Sequence, residues 1–532
     1  MKKLSHVENA VRAASRDTVV IYEDAFERLK RINLRSYFGK TASALAICFA
    51  FVLFSLLRDG VGNLYMSIFI PIFIAEALIV LYGEIYCSSS WMSLFISFLV
   101  TTGTALQIFM MPPEDVDTNL QIIYYILFVF AAVIMGAILA PWLAYICSGK
   151  SNKRRMRMLM VALTVVLYMV LLVFGGEANG TKAWLYLPFN LSMQLTDFTK
   201  LITVVFFALC ISDDTLTNKK KATAMFSLFC LNAFFLVIVN ELGTLLIIGL
   251  ILFLLQIIYL KSPKALLAEL AIIAVISTAV IGSSYLVYSA AVRSVPQVTA
   301  EEAAQMEEEN AGRVKEFLQS EDPNIGFEDL PKDESTDETA SEEDKETSQE
   351  PESMLQKAVN RFARIYPKIS SRFTVLFHSS EASQDDSYQI DNAFTALATS
   401  DWFGTPKGSL GVVPEIDSDF IFVDLVVRIG IIGAALVLLS LAVILIETVV
   451  YISANKNPYE ASLATAFIFS IVFQSLICCC SNLGIAPIVG LPFAFLSNGG
   501  TALTINVIMC FFAMYAIRKE PSRLLTPKEG VA

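Results

Sequence analysis

The sequence predicts an all-α protein, a polytopic bundle of transmembrane helices. Of its 532 residues, 55% are hydrophobic and only 17% are charged, whereas soluble proteins carry about 25% charged residues. The apolar residues form long blocks, and one bilayer crossing needs roughly 20 of them. These features exclude a set of soluble domains. The twelve predicted spans are 41–58, 65–83, 90–112, 119–147, 156–176, 198–213, 222–239, 243–260, 265–292, 421–447, 460–480 and 501–517.

The positions of lysine and arginine predict how the spans are oriented. Short cytoplasmic loops of membrane proteins carry an excess of these residues. Every second link of this chain is basic, whereas the links between carry little more than Arg58 and Lys182. The basic links are 1–40, 150–157, 219–221, 261–264, the one at Lys456, and 518–532. Both termini are therefore expected in the cytoplasm, with the long loop 293–420 outside.

The acidity of the chain belongs to one segment of that loop. Residues 300–353 contain 20 acidic and 4 basic residues, a net charge of −16, against −11 for the whole chain. The segment is poor in aromatic residues, so it cannot bury enough apolar surface to offset its conformational entropy. We expect a disordered spacer, with cation capture or partner docking as the alternative.

A short amphipathic helix is predicted directly after this spacer. Within Met354–Tyr366 apolar residues recur at helical spacing, and Lys357, Arg361 and Arg364 fall on the opposite face. Pro367 is expected to end the helix. The helix would lie either in the outer membrane interface or packed on top of the bundle.

Ionisable residues near the ends of the spans mark candidate functional positions, because a charge inside a bilayer is costly unless it is paired or hydrated. Asp197 and Lys200 lie at i and i+3 of the sixth span and can pair. A simple stabilising ion pair is the alternative to a functional role there. Glu241 stands between the seventh and eighth spans. Asp419 precedes the tenth span, either as a reactive carboxylate or as the N-cap of that helix.

Cysteine and histidine do not indicate a metal site. The nine cysteines lie in or beside apolar spans, where free cysteine behaves as a small hydrophobe. Consecutive residues on a helix point about 100° apart, so Cys478, Cys479 and Cys480 cannot easily share one ligand site. With two histidines in the chain, a His-based triad or zinc site is not expected either.

Seven segments of the chain, taken in order, carry motifs. They are Gly175–Trp184, Gln194–Lys200, Glu241–Thr244, Tyr388-Gln389 with Ala396–Gly408, Pro414–Phe422, Gly484–Pro492 and Ser497–Thr501. Each is weak alone, but their order and their places relative to the spans resemble the SEDS family (shape, elongation, division and sporulation), which includes RodA, FtsW and SpoVE. The resemblance covers roughly residues 90–520.

Several positions depart from the family pattern. The departures are Leu195 for Pro, Asp197 for Glu, Asn240-Glu241 for Pro-Asp, Asp417 for His, Val427-Arg428 for Glu-Glu, and Asn498 for Tyr. The chain therefore resembles a divergent member. We expect Arg428 to pair with Asp424, four residues earlier on the same helix face, or with Asp419.

The resemblance implies a core of ten helices, to which the first two spans are an N-terminal addition. The predicted organisation is a cytoplasmic segment 1–40, an added helix pair 41–83, a first core part 90–292, an extracytoplasmic loop 293–420, the last three core helices 421–517 and a cytoplasmic tail 518–532.

The resemblance also implies a peptidoglycan glycosyltransferase on the outer face of the bacterial cytoplasmic (inner) membrane. Such an enzyme polymerises lipid II, an undecaprenyl-pyrophosphate disaccharide-pentapeptide, in elongation, division or sporulation. Asp419 would be the catalytic base that accepts a proton from the acceptor sugar's 4-hydroxyl. Lys200 would contact the pyrophosphate, positioned by Asp197. The other substrate-binding candidates are Trp184, Lys182, Glu241, Ser497, Gly499 and Gly500.

Two other functions stay open from the sequence. A flippase or transporter of a lipid-linked precursor would also have intramembrane charges and segments broken by Gly and Pro. The departures from the family pattern also leave open a non-catalytic scaffold. The implied partners are lipid II, membrane lipid and a class B penicillin-binding protein transpeptidase, with no nucleic acid. No metal ligand or cofactor is assigned, and a divalent cation stays open as a cofactor.

Overall fold

The computed structural model describes most of the chain outside the long loop. The described residues are 28–30, 32, 34–59, 63–87, 91–110, 116–148, 153–178, 181–187, 191–294, 359, 362–363, 365–377, 384–405, 413, 416–455 and 457–517. The expected spacer 300–353 and the expected cytoplasmic ends, up to residue 27 and from residue 518, lie outside these residues. So do Pro414 and Glu415, the first two residues of the motif Pro414–Phe422.

Twelve helices follow the twelve predicted spans, which confirms the helical bundle. They are α1 Leu34–Asp59, α2 Asn63–Tyr86, α3 Met92–Met110, α4 Val116–Ser148, α5 Lys153–Phe174, α6 Leu195–Ile211, α7 Asn218–Ile238, α8 Leu242–Leu255 with a π-helical turn Gln256–Leu260, α9 Pro263–Ser294, α12 Ile421–Ala454, α13 Pro458–Asn482 and α14 Gly500–Ala516. Within the described residues, seven helices are long and apolar enough to cross a membrane, and α3 and α14 contain shorter apolar stretches. The chain is a polytopic integral membrane protein.

A small antiparallel sheet lies between α5 and α6, and the sequence did not predict it. Its strands are β1 Gly176–Ala178, β2 Thr181–Leu187 and β3 Leu191–Gln194, in the order β1-β2-β3. Trp184 of β2 lies opposite Gln194 of β3. Since Gln194 directly precedes the first residue of α6, the sheet leads the chain into that helix.

Two further helices, α10 Ile365–Phe377 and α11 Gln384–Ala398, lie in the long loop. The prediction that Pro367 ends a helix is wrong, because Pro367 is the third residue of α10. Proline is tolerated in the first turn of a helix, where its missing N–H would have no intrahelical partner. The described residues 359, 362 and 363 of the predicted amphipathic segment are also helical.

The chain divides into two compact units. The smaller one, residues 278–367, joins the second half of α9 to the start of α10. Ser284 connects these parts, because its hydroxyl donates to the carbonyl of Phe362 (2.7 Å) and accepts from the amide of Tyr366 (3.0 Å). The ring of Tyr285 packs edge-on against Tyr366, with the centroids 4.8 Å apart.

The larger unit contains the rest of the bundle, with α14 deep in its core. Fifteen of the seventeen residues of α14 are buried, and this helix packs against α4 and α13. The added pair α1–α2 is joined by an ion pair between Lys40 and Glu84. Its second helix packs on the core, because the ring of Tyr82 lies 4.5 Å from that of Phe511.

A kink at Gly430 divides α12, the helix that begins two residues after Asp419. Gly430 has φ 92° and ψ 173°, a conformation that favours glycine. The loop after α11 packs into the kink: the amide of Ile431 donates to the carbonyl of Asp401 (3.4 Å), and that of Ile432 to the carbonyl of Trp402 (3.3 Å). These bonds replace helical hydrogen bonds and fix the first turns of α12 relative to that loop.

Candidate active site

One cavity of about 350 Å³ brings together residues that are far apart in the sequence. Its walls come from the sheet, the start of α8, α10, the segment before α12, and the loop between α13 and α14. Four of the sequence-predicted site residues line it, namely Trp184, Glu241, Asp419 and Gly499. This size is within the range of small-molecule sites, which span about 300–1,000 Å³.

The loop before α14 holds the segment Ile416–Phe420 by its backbone. The amide of Asn498 donates to the carbonyl of Asp417 (2.8 Å), and the hydroxyl of Ser497 donates to the carbonyl of Ser418 (2.9 Å). The side-chain amide of Gln107 joins both pieces, because it donates to Leu496 (2.6 Å) and to Asp417 (3.3 Å). The peptide groups before Asp419 are therefore fixed.

Asn482, the last residue of α13, fixes Asp419 itself. The Asn482 side-chain nitrogen donates to the carbonyl of Asp419 (2.7 Å), and its oxygen accepts from the amides of Phe422 (3.1 Å) and Val423 (3.4 Å). The first amides of a helix need an outside acceptor, so Asn482 caps α12 from a neighbouring helix. The N-cap residue of α12 is Phe420, and the interpretation of Asp419 as the N-cap is wrong.

The carboxylate of Asp419 and the guanidinium of Arg372 converge at Gly490. A Cβ atom built on Gly490 would lie 3.6 Å from Oδ2 of Asp419 and 3.7 Å from Nη2 of Arg372. Gly490 has φ +67°, a left-handed conformation that suits glycine. A small group at this point would touch an acid and a cation at once. Arg372 lies on α10, and the sequence did not indicate it.

Glu241 enters the cavity from a strained turn between α7 and α8. Asn240 before it has φ 60°, and the amide of Glu241 donates to the carbonyl of Leu236 (2.8 Å), which closes the end of α7. The hydroxyl of Thr244 donates to Oε1 of Glu241 (3.3 Å). The amide of Lys182 donates to Val239 (3.0 Å), so this turn is bonded to the sheet.

The two β2 candidates have different places. Trp184 is half-buried and lines the cavity. Lys182 lies outside the lining, and its ammonium donates to the carbonyl of Leu172 in the last turn of α5 (2.7 Å). A cation at the carboxyl end of a helix is stabilised by the helix dipole. This contact gives Lys182 a structural partner away from the cavity.

Asp197 and Lys200 are buried beneath the cavity lining and do not line it. Nζ of Lys200 donates to Oδ1 of Asp197 (2.9 Å) and to the side-chain oxygen of Gln474 (3.1 Å). Gln474 in turn donates to the carbonyl of Pro492, which does line the cavity (2.7 Å). Oδ2 of Asp197 has no hydrogen-bond partner within the described residues. The predicted ion pair is thus present, one layer away from the cavity.

The loop before α14 uses its predicted residues in three ways. Ser497 is buried, and besides its bond to Ser418 its hydroxyl accepts from the amide of Phe493 (2.7 Å). Gly499 lines the cavity. Gly500 starts α14, and a Cβ atom there would meet the ring of Phe128 at 2.8 Å. Ser497 and Gly500 therefore have structural contacts that fix this loop.

Arg428 pairs with Asp424, one of its two expected partners. Nε of Arg428 lies 2.6 Å from Oδ1 of Asp424, whose side chain is fully buried. Neither residue lines the cavity. No group of three or more potential metal ligands occurs within the described part of the chain.

Comparisons with known proteins identify related chains. The sequence profile of the cell cycle protein family FTSW_RODA_SPOVE matches residues 90–307 and 355–521. A probable peptidoglycan glycosyltransferase FtsW of Shewanella sediminis is 31% identical over 27% of this chain and 36% of its own length. The Bacillus subtilis protein of the same name is 26% identical over 30% of this chain and 42% of its own length. The chain thus covers less than half of either relative.

A solved structure shares the fold. It is described as "Structural coordination of polymerization and crosslinking by a peptidoglycan synthase complex", and one of its chains is 15% identical to this one, with a TM-score of 0.51. The match covers 82% of this chain and 99% of the other. The first 89 residues, which include α1 and α2, precede the match to the family profile.

Proposed function

The chain belongs to the FtsW, RodA and SpoVE family of cell cycle proteins, the SEDS family, and from this we propose that it is a peptidoglycan glycosyltransferase. It polymerises lipid II, a disaccharide-pentapeptide on undecaprenyl pyrophosphate, into glycan strands. The observation that carries the proposal is the meeting of Asp419 and Arg372 in one cavity, at Gly490.

Glycosyl transfer needs a base and a cation that stabilises the leaving group. The cavity contains a candidate for each, Asp419 and Arg372. The 4-hydroxyl oxygen of the acceptor sugar attacks the anomeric carbon of the donor sugar. The bond from that carbon to the pyrophosphate oxygen breaks, and the pyrophosphate leaves with the electron pair. Asp419 takes the hydroxyl proton. Arg372, whose planar guanidinium binds phosphate oxygens in pairs, stabilises the charge that develops on the leaving group.

The remaining candidates support this pair. Trp184 offers a flat apolar face for a sugar ring, and Glu241 and Gly499 complete the cavity wall. Lys200 and Asp197 act through Gln474, which is bonded to the wall residue Pro492. Lys200 as a direct pyrophosphate contact stays a prediction, and so do the substrate contacts of Lys182, Ser497 and Gly500.

We place the protein in the bacterial cytoplasmic membrane with both termini inside. The starts of α5 and α7 support this orientation, because Arg154, Arg155, Lys219 and Lys220 are exposed there, and cationic residues concentrate on the cytoplasmic side. The cavity then opens to the outer face, where the lipid-linked substrate is polymerised.

A class B penicillin-binding protein is the proposed partner, bound through its transmembrane helix. The face of α12 supports this partner, because Leu439, Ile446 and Val449 are exposed by 53%, 60% and 51% and alternate with exposed Ala435 and Ala442. Alternating large and small apolar residues at spacings of three and four suit helix–helix packing in a membrane.

The test is polymerisation of fluorescent lipid II by the purified protein, with and without the partner. We expect glycan ladders from the wild type, none from Asp419→Asn, and unchanged ladders from Asp391→Asn. Asp391 is an exposed carboxylate on α11 outside the cavity lining, so it controls for loss of charge in the same loop. Movement of lipid II across vesicles without any glycan would instead support the flippase.

A further inference from the structure

Besides Asp419 and Glu241, the cavity lining contains a third acidic residue, Asp417, two residues before the proposed base. We propose that Asp417 positions the acceptor sugar: its carboxylate accepts a hydrogen bond from a hydroxyl that neighbours the reacting one. This inference rests on the proposed function and deepens it. It concerns a residue that differs from the family pattern and that bonds a second such residue, Asn498.

The backbone of Asp417, Ser418 and Asp419 is held from outside the segment. Three consecutive carbonyl groups are held by different donors: Asp417 by the amide of Asn498 (2.8 Å), Ser418 by the hydroxyl of Ser497 (2.9 Å) and Asp419 by the side chain of Asn482 (2.7 Å). These bonds fix the backbone from which both side chains extend. Asp417 and Asp419 both line the cavity.

The side chain of Asp417 is also held in place. The side-chain nitrogen of Asn498 donates to Oδ2 of Asp417 (2.9 Å), and both residues line the cavity. Within the described residues this is the one side-chain hydrogen bond recorded for that carboxylate. An ionised carboxylate has about four acceptor sites on its two oxygens. The contact thus orients Asp417 and leaves Oδ1 as an acceptor toward the cavity.

A sugar ring suits two carboxylates that line the same cavity. The 4-hydroxyl of a hexose is flanked by the 3-hydroxyl and the 6-hydroxyl, and each can donate a hydrogen bond. If Asp419 takes the proton of the 4-hydroxyl, a carboxylate beside it can hold a flanking hydroxyl. Such a bond orients the nucleophile toward the donor sugar, and correct orientation contributes strongly to rate.

The linked departures support a role in recognition. At position 417 the family pattern has His and at position 498 it has Tyr, and in this chain both positions are changed and bonded to each other. Arg428, a further departure, pairs with Asp424, and neither residue lines the cavity. Asp417 and Asn498 both line the cavity and can contact a substrate there.

The experiment is a double-mutant cycle in which one change is made in the enzyme and the other in the acceptor. Polymerisation is measured with unmodified lipid II as donor and with acceptors whose terminal N-acetylglucosamine lacks either the 3-hydroxyl or the 6-hydroxyl. The enzymes are the wild type, Asp417→Asn and the control Asp391→Asn. A hydrogen bond to a charged group is worth about 1.5–3 kcal/mol, so removal of the recognised hydroxyl should slow the wild type about 10- to 150-fold.

We expect the Asp417→Asn enzyme to be slowed with the full acceptor and to be less sensitive than the wild type to loss of the recognised hydroxyl, because its amide oxygen accepts only a weaker hydrogen bond between neutral groups. The Asp391→Asn enzyme should behave as the wild type does. Equal sensitivity of Asp417→Asn and wild type to both deoxy acceptors would overturn the inference. So would loss of activity in Asp417→Asn that added Mg²⁺ or Mn²⁺ restores, because Asp417 would then hold a cation. If the wild type makes no glycan at all, the proposed function itself fails.

Discussion

Two pairs of carboxylate and cation lie at and beside the cavity, and they differ in access. Asp197 and Lys200 are each 5% exposed and bonded to one another. Asp419 and Arg372 are half-buried and line a cavity of about 350 Å³. The sequence assigned the pyrophosphate to the cation of the first pair, whereas the geometry offers the cation of the second.

The difference shows that a sequence motif does not decide whether a charged residue reaches the cavity. A buried ion pair inside a bundle must satisfy its own charges, because an uncompensated buried charge is costly. Lys200 bonds both Asp197 and Gln474, and Gln474 connects the pair to the cavity wall at Pro492. Asp419 and Arg372 instead line the cavity, where a substrate can reach them.

The largest effect is expected at Asp419, where loss of a general base lowers rates roughly 10²- to 10⁴-fold. Asp419→Asn should lose polymerisation by at least that factor with an unchanged midpoint of thermal unfolding, because its backbone carbonyl keeps the bond from Asn482. Initial rates with lipid II and a thermal melt of the same preparation measure both quantities. Substantial glycan synthesis by this variant would remove Asp419 from the mechanism.

The next effect is on stability and separates the two pairs. Lys200→Met leaves Asp197 buried without its cation, which should cost about 3–5 kcal/mol of unfolding free energy. Asp197→Leu combined with Lys200→Met removes both charges and should recover much of that loss. Unfolding in detergent measures the stability, and rates are normalised to folded protein. A double variant that is stable yet inactive would restore Lys200 as a pyrophosphate contact.

A smaller effect is expected at Arg372. Arg372→Ala should lower kcat/KM about 10- to 150-fold, the value of a hydrogen bond to a charged group. Arg372→Lys should retain part of the activity, because an ammonium keeps the charge and loses the paired geometry. Lys264→Ala, at an exposed cation near the start of α9, is the matched control. Unchanged kcat/KM in Arg372→Ala would mean that another cation stabilises the leaving group.

The sequence predicted the bundle well because its signal is local. Apolar blocks of sufficient length identify spans without reference to the fold, and all twelve became helices. The sequence did not predict the sheet because Thr181–Leu187 is short, and its apolar run Ala-Trp-Leu-Tyr-Leu does not alternate with polar residues as a half-buried strand would. Asp419, Trp184 and Glu241 were found because family motifs name them.

The sequence did not indicate Arg372, because its place at the cavity depends on tertiary packing. The predicted helix was ended at Pro367, although proline is tolerated in a first turn, and α10 continues for ten residues beyond it. Continuing the helix past that proline would have placed Arg372 on it. Its meeting with Asp419 at Gly490 depends on packing between segments more than forty residues apart, which no local pattern contains.

A third ion pair, between Arg157 and Asp213, tests whether a less buried pair contributes less stability. Asp213 lies in the link between α6 and α7, and Arg157 lies near the start of α5, with side chains 9% and 14% exposed. Burial raises the pKa of Asp213, but hydrogen bonds from Thr215 and Arg157 outweigh this and lower it from 3.8 to about 2. A lowered folded pKa means stabilisation that is complete above pH 3.8 and is lost as the pH falls toward about 2.

Asp213→Asn should therefore lower the unfolding midpoint by a few degrees at pH 7, and the difference from the wild type should shrink as the pH falls from about 4 to about 2. The side chains of this pair are somewhat more exposed than those of Asp197 and Lys200, so we expect a smaller loss of stability than for Lys200→Met. Melts of both proteins at pH 7 and pH 3 measure this difference. If Asp213→Asn and Lys200→Met lose the same stability, burial does not distinguish these ion pairs. Access to the cavity would then be the one difference left between the pair Asp197–Lys200 and the pair Asp419–Arg372.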